Sequence, residues 1–313
     1  MIFSYSVPSK VILFGEHAAI YGFPSVATAV DLRMFLKCNL YESKSESEIR
    51  ITYNNDKFNF NPFSIAPENE NSTFKMYRKA FNNNFPPNHI LKMKFTFNGP
   101  DSSGLGSSAA LCTLVAATVQ HIINNGNIDI KNLISQAIEL EKFYHSKSSG
   151  IDVNTVIKGS SIIIQNGEIS NFSLPKIPFL IVDSGVRRQA KVALDHVSDL
   201  LQKDKENALF KLKSLGKIAD DFYQSKEKSD LKEFFTSSQN LLNSLGLSCP
   251  QVDEIIQKAK ENKLYAKMTG AGMGGVVLVT GNGLNQKLNI FEPYKTFIVH
   301  PDSEGFRKEI PFD

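Results

Sequence analysis

Residues 99–110 read Gly-Pro-Asp-Ser-Ser-Gly-Leu-Gly-Ser-Ser-Ala-Ala and lead into an apolar run, Ala109 to Ile123, that contains no proline. The length of this run and its alanine and leucine content predict a helix, which Ser107 or Ser108 could cap. A glycine-rich turn before a helix leaves backbone N–H groups available at the positive end of the helix dipole, where phosphate binds readily. A loop that only turns the chain, with serines as helix caps, explains the stretch equally well.

The composition is that of an ordinary globular chain. The 313 residues are 42% hydrophobic and 21% charged, and the formal net charge is +3. A chain of this length exceeds one typical hydrophobic core, so we expect two lobes. The segment 174–178 contains two prolines and is the expected boundary, which gives an N-terminal lobe of residues 1–175 and a C-terminal lobe of residues 176–313.

Several classes of partner are not indicated. The basic residues are spread along the chain, so neither nucleic acid nor another polyanion is expected as a partner. No run of residues is long and uncharged enough to cross a bilayer, and the first residues do not resemble a secretion signal. The cysteines Cys38, Cys112 and Cys249 are far apart and form no metal-spaced pair. These features favour a cytoplasmic protein.

Apolar patterns predict strands and helices in mixed order along the chain. Because the order has no regular strand–helix–strand rhythm, it favours an α+β fold over a doubly wound sheet. Pro8 is expected to interrupt the first strand, and Gly216 to separate two of the helices between Ala190 and Leu245. Residues 61–88 predict a mobile surface region without chemistry, and Lys295 to Val299 are expected to form the last strand.

Four separated pieces of sequence carry groups suited to phosphoryl transfer. Such a site needs N–H groups and a cation around the phosphates, oxygen ligands for Mg²⁺, and a group that positions the attacking hydroxyl. The usual P-loop and dinucleotide-binding glycine patterns are absent from the sequence. The pieces are Lys10 with Glu16 and His17, the loop 104–108, Glu141 with Asp152, and the loop 270–275.

Each piece also has a simpler explanation. Lys10 and Glu141 could be solvated surface residues, and His17 could be a core histidine whose hydrogen bonds are satisfied. Asp152 could cap a turn, and the loop 270–275 could be a tight turn. The joint presence of two glycine-rich loops and a carboxylate beside a Ser-Gly turn favours the functional interpretation.

Together the motifs resemble those of the GHMP kinases, the galacto-, homoserine, mevalonate and phosphomevalonate kinases. The resemblance spans nearly the whole chain. Residues 8–22 read Pro-Ser-Lys-Val-Ile-Leu-Phe-Gly-Glu-His-Ala-Ala-Ile-Tyr-Gly, residues 100–110 read Pro-Asp-Ser-Ser-Gly-Leu-Gly-Ser-Ser-Ala-Ala, and residues 267–275 read Lys-Met-Thr-Gly-Ala-Gly-Met-Gly-Gly. Residues 145–152, His-Ser-Lys-Ser-Ser-Gly-Ile-Asp, are similar to the family's His-Gly-x-Pro-Ser-Gly-x-Asp.

The first motif distinguishes members within this family. Galactokinases usually continue Gly-Glu-His with Thr-Asp-Tyr, and homoserine kinases lack Gly-Glu-His. Here Ala-Ala-Ile-Tyr-Gly follows at residues 18–22, as in members that phosphorylate mevalonate. The resemblance implies transfer of the γ-phosphate of ATP to the C5 hydroxyl of mevalonate, a step of isoprenoid synthesis. Phosphomevalonate, another small alcohol or a sugar stays open as the acceptor, as does a catalytically silent, ligand-binding member of the family.

The resemblance also implies a fold and an assembly. Its N-terminal, ATP-binding lobe is like domain 2 of ribosomal protein S5, its C-terminal lobe is ferredoxin-like, and the site lies between them. A homodimer is compatible with the family, and neither nucleic acid nor a membrane is implied.

The resemblance implies a role for individual residues. Asp152 would sit by the acceptor hydroxyl as a general base or an orienting group, and Lys10 would neutralise charge near Asp152 and the γ-phosphate. Glu16 and His17 would line the substrate side, and Ser108 and Glu141 would be the Mg²⁺ ligands. The implied ATP-binding residues are Pro100, Ser102, Ser103, Gly104, Leu105, Gly106, Ser107 and Ser108, and those of the third glycine loop are Thr269, Gly270, Ala271, Gly272 and Gly274.

Some positions depart from the family pattern. Ser146 and Ser148 replace the usual glycine and proline, and Met273 interrupts the glycines of the third motif. These departures leave the fine contacts to the acceptor open. Arg187 or Arg188 could bind a substrate carboxylate, or both could be solvated surface residues.

Overall fold

The structure is a computed structural model, and it describes residues 1–54, 56–65, 67, 69–100, 104–144, 150–187 and 190–310. Within these residues the strands form one eight-stranded and one four-stranded sheet, and helices pack on both. The predicted α+β fold is therefore confirmed. The strands are β1 Ile2–Phe14, β2 Ser25–Glu42, β3 Glu48–Tyr53, β4 Asp56–Phe60, β5 His89–Phe97, β6 Ser161–Gln165, β7 Glu168–Phe172, β8 Phe179–Asp183, β9 Tyr265–Met268, β10 Val276–Thr280, β11 Lys295–Val299 and β12 Arg307–Glu309.

The helices fall into two groups along the chain. A short 3₁₀ turn, Ala18–Tyr21, follows β1. The groups are α1 Ser72–Phe81, α2 Ser107–Ile123, α3 Ile130–Glu141 and α4 Ile151–Lys158, then α5 Ala190–Lys203, α6 Lys205–Gln224, α7 Lys232–Ser244 and α8 Pro250–Glu261. The first group packs with the larger sheet. In the second group α7 and α8 pack with the smaller sheet, and α6 also contacts β1 and β2 of the larger sheet.

The larger sheet is organised around its two long strands. Its order is β12-β1-β2-β5-β3-β4, and β6, which is paired with β7, lies beside the first residues of β2. The pairs are antiparallel except β3 with β5. From Leu91 onward β5 alternates between buried and exposed residues, which is typical of a strand with one face on the core and one in water. Strand β1 is buried over nearly its whole length because helices and loops cover both of its faces.

Strand β1 corrects the expectation for Pro8. The strand continues through this residue, and its register with β2 shifts between Pro8 and Ser9. Proline has no N–H to donate to the ladder, so the pairing is displaced locally while the strand continues.

Helix α6 corrects the expectation for Gly216, which lies inside the helix and does not end it. A Cβ at this position would lie 2.6 Å from Cβ of Phe23 and 3.1 Å from Cδ of Pro24. The glycine therefore allows α6 to pack closely against the turn that precedes β2, a constraint that is invisible in the local sequence.

The last strand of the described residues, β12, lies on the larger sheet, so Lys295–Val299 is not the last strand. Strand β12 pairs with β1, and Arg33 on β2 holds the segment before it. Nη1 of Arg33 lies 2.7 Å from Oδ2 of Asp302, and its Nε donates to Oγ of Ser6 at 2.9 Å. The predicted lobe boundary at residues 175 and 176 falls between β7 and β8, where the chain passes from the larger to the smaller sheet, and this division stays a prediction.

Two main hydrophobic clusters make up the core. The first joins the larger sheet and its helices to one face of the smaller sheet, and the second lies between the other face of the smaller sheet and the helices of the second group. Helix α6 links them, because the ring of Phe222 packs on Phe14 of β1 with 4.7 Å between their centroids. None of the helices in the described ranges is long and apolar enough to span a membrane.

Candidate active site

The side chains of Lys10 and Asp152 meet although they come from distant parts of the chain. Lys10 lies on β1, and its Nζ is 2.9 Å from Oδ1 of Asp152 in the first turn of α4. The lysine side chain is 4% exposed and the aspartate side chain 26%. A lysine this buried needs an opposite charge nearby. The surface explanation for Lys10 is therefore wrong, and Asp152 keeps one side open to solvent.

The glycine loop at residues 104–106 rests on the same part of β1. The backbone N–H of Lys10 donates to the carbonyl of Leu105 at 2.9 Å. Gly106 has a φ of 76°, and a Cβ there would lie 2.8 Å from Cγ of Lys10. Only glycine meets both the left-handed backbone and the close approach. The loop and the lysine are thus held together by geometry that tolerates no side chain.

Helix α2 begins at Ser107, with Gly106 in the capping position. The expectation that Ser107 or Ser108 caps the helix is wrong, because both already belong to its first turn. Ser107 is exposed and Ser108 is half-buried. The first N–H groups of a helix have no intrahelical partner, and they form the positive end of the helix dipole. In α2 this end lies at the glycine loop. This arrangement suits an anion. Pro100 is buried, whereas Ser102 and Ser103 lie outside the described residues.

Glu141 ends α3 and is only 2% exposed, so the surface explanation for this residue is also wrong. Its carboxylate faces α2: burial, and then the negative charge of Glu141, raise the pKa of the Cys112 thiol. Cys112 lies four residues after Ser108, and residues at this spacing share a helix face. Ser108 therefore shares a face of α2 with Cys112, whose thiol is affected by the charge of Glu141.

The third glycine loop, between β9 and β10, is fastened to β1. Oγ1 of Thr269 donates to the carbonyl of Ile12 and accepts from its N–H, both at 2.9 Å. Nε2 of His17 donates to the carbonyl of Ala271 at 2.8 Å. Because a carbonyl only accepts, Nε2 carries the proton in this tautomer. The loop is thus bound at two points to the first motif.

The glycines of this loop allow close backbone packing. Gly270, Gly272 and Gly274 all have positive φ angles. A Cβ on Gly272 would lie 2.5 Å from the carbonyl oxygen of Leu247, and one on Gly274 would lie 2.8 Å from that of Val186. The loop is therefore a tight turn that packs against Leu247 and against the segment after β8. Arg187 is exposed in that segment, and Arg188 lies outside the described residues.

Lys267 is a site residue to which the sequence analysis gave no role. Its Nζ donates to Oε1 of Glu16 and to the carbonyl of Met268, the second at 2.7 Å, and both charged side chains are fully buried. Burial raises the pKa of Glu16 and lowers that of Lys267, while each charge opposes the shift of the other. The signal in the sequence is a lysine within an apolar strand beside a glycine-rich loop.

An aromatic pocket opens one helical turn from the glycine loop. It has a volume of about 280 Å³ and lies between the β3–β4 hairpin, α1 and α2. Leu111, which lines it, is four residues after Ser107 and so shares its face of α2. Part of its wall comes from the segment 61–88, for which the absence of chemistry stays a prediction. The remaining apolar lining comes from Ile51, Tyr53, Phe58, Phe74 and Tyr77.

Comparison with known proteins identifies the family of this chain. Residues 71–160 match the GHMP kinases N terminal domain, and residues 211–296 match the GHMP kinases C terminal domain. A mevalonate kinase of Methanocaldococcus jannaschii is 30% identical over 298 residues, which are 90% of this chain and 92% of that protein. A mevalonate kinase of Archaeoglobus fulgidus is 27% identical over 97% of this chain and 99% of its own length.

The fold is similar to that of a solved relative. The crystal structure of the Methanococcus jannaschii mevalonate kinase superposes with a TM-score of 0.80 and 27% identity, covering 96% of this chain and 98% of that chain. The chain belongs to the GHMP kinases. It is accordingly an ATP-dependent small-molecule kinase.

Proposed function

We propose that this kinase transfers the γ-phosphate of ATP to the C5 hydroxyl of mevalonate and releases 5-phosphomevalonate and ADP. The observation that carries the proposal is the 2.9 Å pair of Lys10 and Asp152 beside the loop 104–106. Such a pair places two groups side by side. The carboxylate can orient the attacking hydroxyl, and the cation can stabilise the transferred phosphoryl group. The choice of mevalonate rests on the relatives of nearly full length that carry this activity in their names.

ATP would lie along the face of α2 that starts at the glycine loop. The N–H groups around Gly104, Gly106 and Ser107 would hold its phosphates at the helix N-terminus. The aromatic pocket would take the purine base, since Leu111 on its wall is one helical turn from Ser107. The spacing between loop and pocket therefore suits a ligand with a charged chain and a flat apolar end.

Asp152 would act on the acceptor. Its partly exposed carboxylate can accept a hydrogen bond from the C5 hydroxyl and then its proton, as the oxygen bonds to the γ-phosphorus and ADP leaves. Where the transition state is loose, little proton removal is needed beforehand, and orientation supplies most of the effect. Lys10, held by Asp152, would stabilise negative charge on the transferred group.

Mg²⁺ would be held by Ser108 and Glu141. A serine hydroxyl and a buried carboxylate are hard oxygen donors that fit this ion. Among the described residues no group of three or more His, Cys, Asp or Glu side chains is placed to hold a metal. Mg²⁺ commonly takes only one or two carboxylates and completes its shell with substrate phosphates and water, so two protein ligands are sufficient.

His17 would shape the acceptor side, whereas the fully buried Glu16 would not touch the acceptor, which corrects its expected place on the substrate side. His17 is bound through Nε2 to Ala271, so the ring joins the third glycine loop to the first motif. Thr269 fastens the same loop to Ile12. With this support, the loop residues Thr269, Gly270, Ala271, Gly272 and Gly274 would form a rigid wall opposite α2, rather than a flexible lid.

The test is a substrate panel with purified protein, ATP and Mg²⁺. Release of ADP is measured with mevalonate, phosphomevalonate, galactose and homoserine at matched concentrations, and the product is identified by phosphorus NMR. We expect the highest kcat/KM with mevalonate and a phosphate ester at C5. A higher kcat/KM with any other acceptor would overturn the choice of substrate while leaving the kinase assignment intact.

A further inference from the structure

Four charged side chains of alternating sign connect the smaller sheet to the candidate site. Lys267 on β9 binds Glu16, and two residues after Lys267 the side chain of Thr269 binds the backbone of Ile12, two residues after Lys10 on β1. The charge of Lys10 also favours the ionised form of Glu16, though less than that of Lys267 does. Lys10 in turn binds Asp152 on α4. The order is therefore cation, anion, cation, anion. The first two members are inaccessible to solvent, so they cannot themselves touch the reacting atoms.

The pair farther from Asp152, Glu16 and Lys267, carries a large desolvation penalty because both side chains are fully buried. Two charges removed from water lose hydration that their mutual attraction recovers only in part, and well-packed apolar residues often serve stability as well. Oε2 of Glu16 is buried and has no hydrogen-bond partner among the described residues. The pair is thus incompletely satisfied at the end that does not face Lys267, which is unexpected if its only role is to hold the two sheets together.

The surroundings of Lys267 hold its ammonium group in one place. It donates to Glu16 and to the carbonyl of Met268, and the ring of Phe235 on α7 lies 6.0 Å from it. Met268 is itself fixed, because its N–H donates to Oε1 of Gln239 at 2.9 Å. The smaller sheet and α7 therefore help to fix the position of the Glu16 carboxylate.

We propose that Lys267 is a positioning residue for phosphoryl transfer, acting through Glu16 to hold the ammonium group of Lys10 against Asp152. Without Lys267, an ionised Glu16 would compete with Asp152 for Lys10. If Glu16 were protonated instead, Lys10 would interact with the negative charge of Asp152 alone. Either change disturbs the 2.9 Å contact. The inference rests on the proposed function of Lys10 and Asp152.

The experiment compares Lys267→Met, Glu16→Gln and the double variant with the unchanged protein. Melting temperature, kcat, and KM for ATP and for the acceptor are measured for each. Lys267→Met leaves a buried carboxylate unpaired, so we expect it to be the least stable. The double variant removes both charges, so we expect its melting temperature to recover most of the loss.

The decisive readout is kcat in the double variant. We expect it to stay about 100-fold low, the scale of a misplacement near 1 Å at a reacting centre, with both KM values unchanged. Recovery of kcat together with the melting temperature would overturn the proposal, because the pair would then be purely structural. A low kcat that comes with a raised KM for ATP would also overturn it, since the defect would lie in nucleotide binding.

Arg33 and Asp302 provide a matched control. This second buried pair also joins a late segment of the chain to the larger sheet. Arg33→Met with Asp302→Asn should change the melting temperature and leave kcat as it was. A similar fall of kcat in this control would show that loss of any buried pair is enough, and it would overturn the specific role of Lys267.

The assay keeps this inference separate from the choice of substrate. All variants are compared with whichever acceptor the unchanged protein uses best. If that acceptor is not mevalonate, the substrate proposal fails while the comparison of kcat values still decides the role of Lys267.

Discussion

Nζ of Lys10 lies 2.9 Å from Oδ1 of Asp152, and the two side chains differ in exposure, at 4% and 26%. The lysine is therefore enclosed by the protein, whereas the carboxylate still reaches solvent. Asp152 also lies in the first turn of α4, where a negative charge is favoured by the helix dipole. This unequal exposure supports a fixed cation and an accessible carboxylate within one pair.

Replacing Asp152 with asparagine should lower kcat by about 10²–10⁴-fold, the range for loss of a general acid–base or orienting group. The amide keeps the size of the side chain, so the dissociation constant for ATP should stay near normal. Steady-state kinetics and isothermal titration with ATP measure the two quantities. Asp129→Asn is the control, because Asp129 caps α3 at an exposed position and asparagine caps equally well. Weakened ATP binding in Asp152→Asn would contradict the role of Asp152.

Replacing Glu141 with glutamine should raise the Mg²⁺ concentration for half-maximal activity by about tenfold or more, as when groups that hold a metal in place are altered. The neutral amide is a poorer ligand for a hard cation than the carboxylate. Activity is titrated against Mg²⁺ at saturating ATP. Glu139→Gln on the same helix is the control, since that side chain is 63% exposed and pairs only with Lys142 in the described part of the protein. An unchanged Mg²⁺ dependence would exclude Glu141 as a ligand.

Replacing Gly106 with alanine should weaken ATP binding and lower stability. A Cβ would lie 2.8 Å from Lys10, and the φ of 76° disfavours any side chain. Gly167→Ala is the control, because its φ is 80° and nothing lies within 4 Å of its Cβ. Both variants should lose about 1–2 kcal/mol from backbone strain, but only Gly106→Ala should also bind ATP less tightly. Equal ATP affinities would show that the contact with Lys10 does not shape the phosphate site.

The stability of the folded protein should depend on pH through His121. The ring of His121 is stacked on Phe3 with 3.7 Å between the ring centroids, and its Nδ1 lies 2.6 Å from the hydroxyl of Tyr5. Burial, and then the charge of Lys308, lower the pKa of His121 below 6.5. In the window below 6.5 the unfolded chain binds more protons than the folded one, so stability is lost as the pH falls. The slope should reach up to about 1.4 kcal/mol per pH unit.

The measurement is denaturant unfolding of the unchanged protein and of His121→Gln between pH 5 and pH 8. The variant should be less stable at pH 8 because the stacking and the fit to Tyr5 are lost. Below pH 6.5 the free energy of unfolding of the variant should change less with pH than that of the unchanged protein. Parallel curves would mean that other groups, and not His121, cause the acid sensitivity.

Much of the candidate site could be predicted because its chemistry depends on local patterns. A glycine-rich turn before an apolar run predicts an anion site at a helix start, and the helix does start at Ser107. Lys10, Glu141 and Asp152 were also predicted as site residues, although their burial and their contacts were not. The burial of Lys10 depends on Asp152 and Gly106, which come from other parts of the chain.

The errors have a common physical cause. Gly216 is required by the approach of Phe23 and not by the end of a helix, and β12 is a strand because β1 offers an open edge. The role of Lys267 was missed for the same reason, since its partner is Glu16, far away in sequence. In each case the deciding neighbour lies beyond the range of any local pattern.

Residue identity alone was sufficient for the α+β class and for the helix behind the glycine loop, because propensity, periodicity and motif spacing are local properties of the chain. The tertiary structure decided which charged groups are buried, which charges meet and where side chains are forbidden. Burial and charge pairing depend on long-range packing: Lys10 and Asp152 form a pair only because β1, α4 and the loop 104–106 are folded against one another.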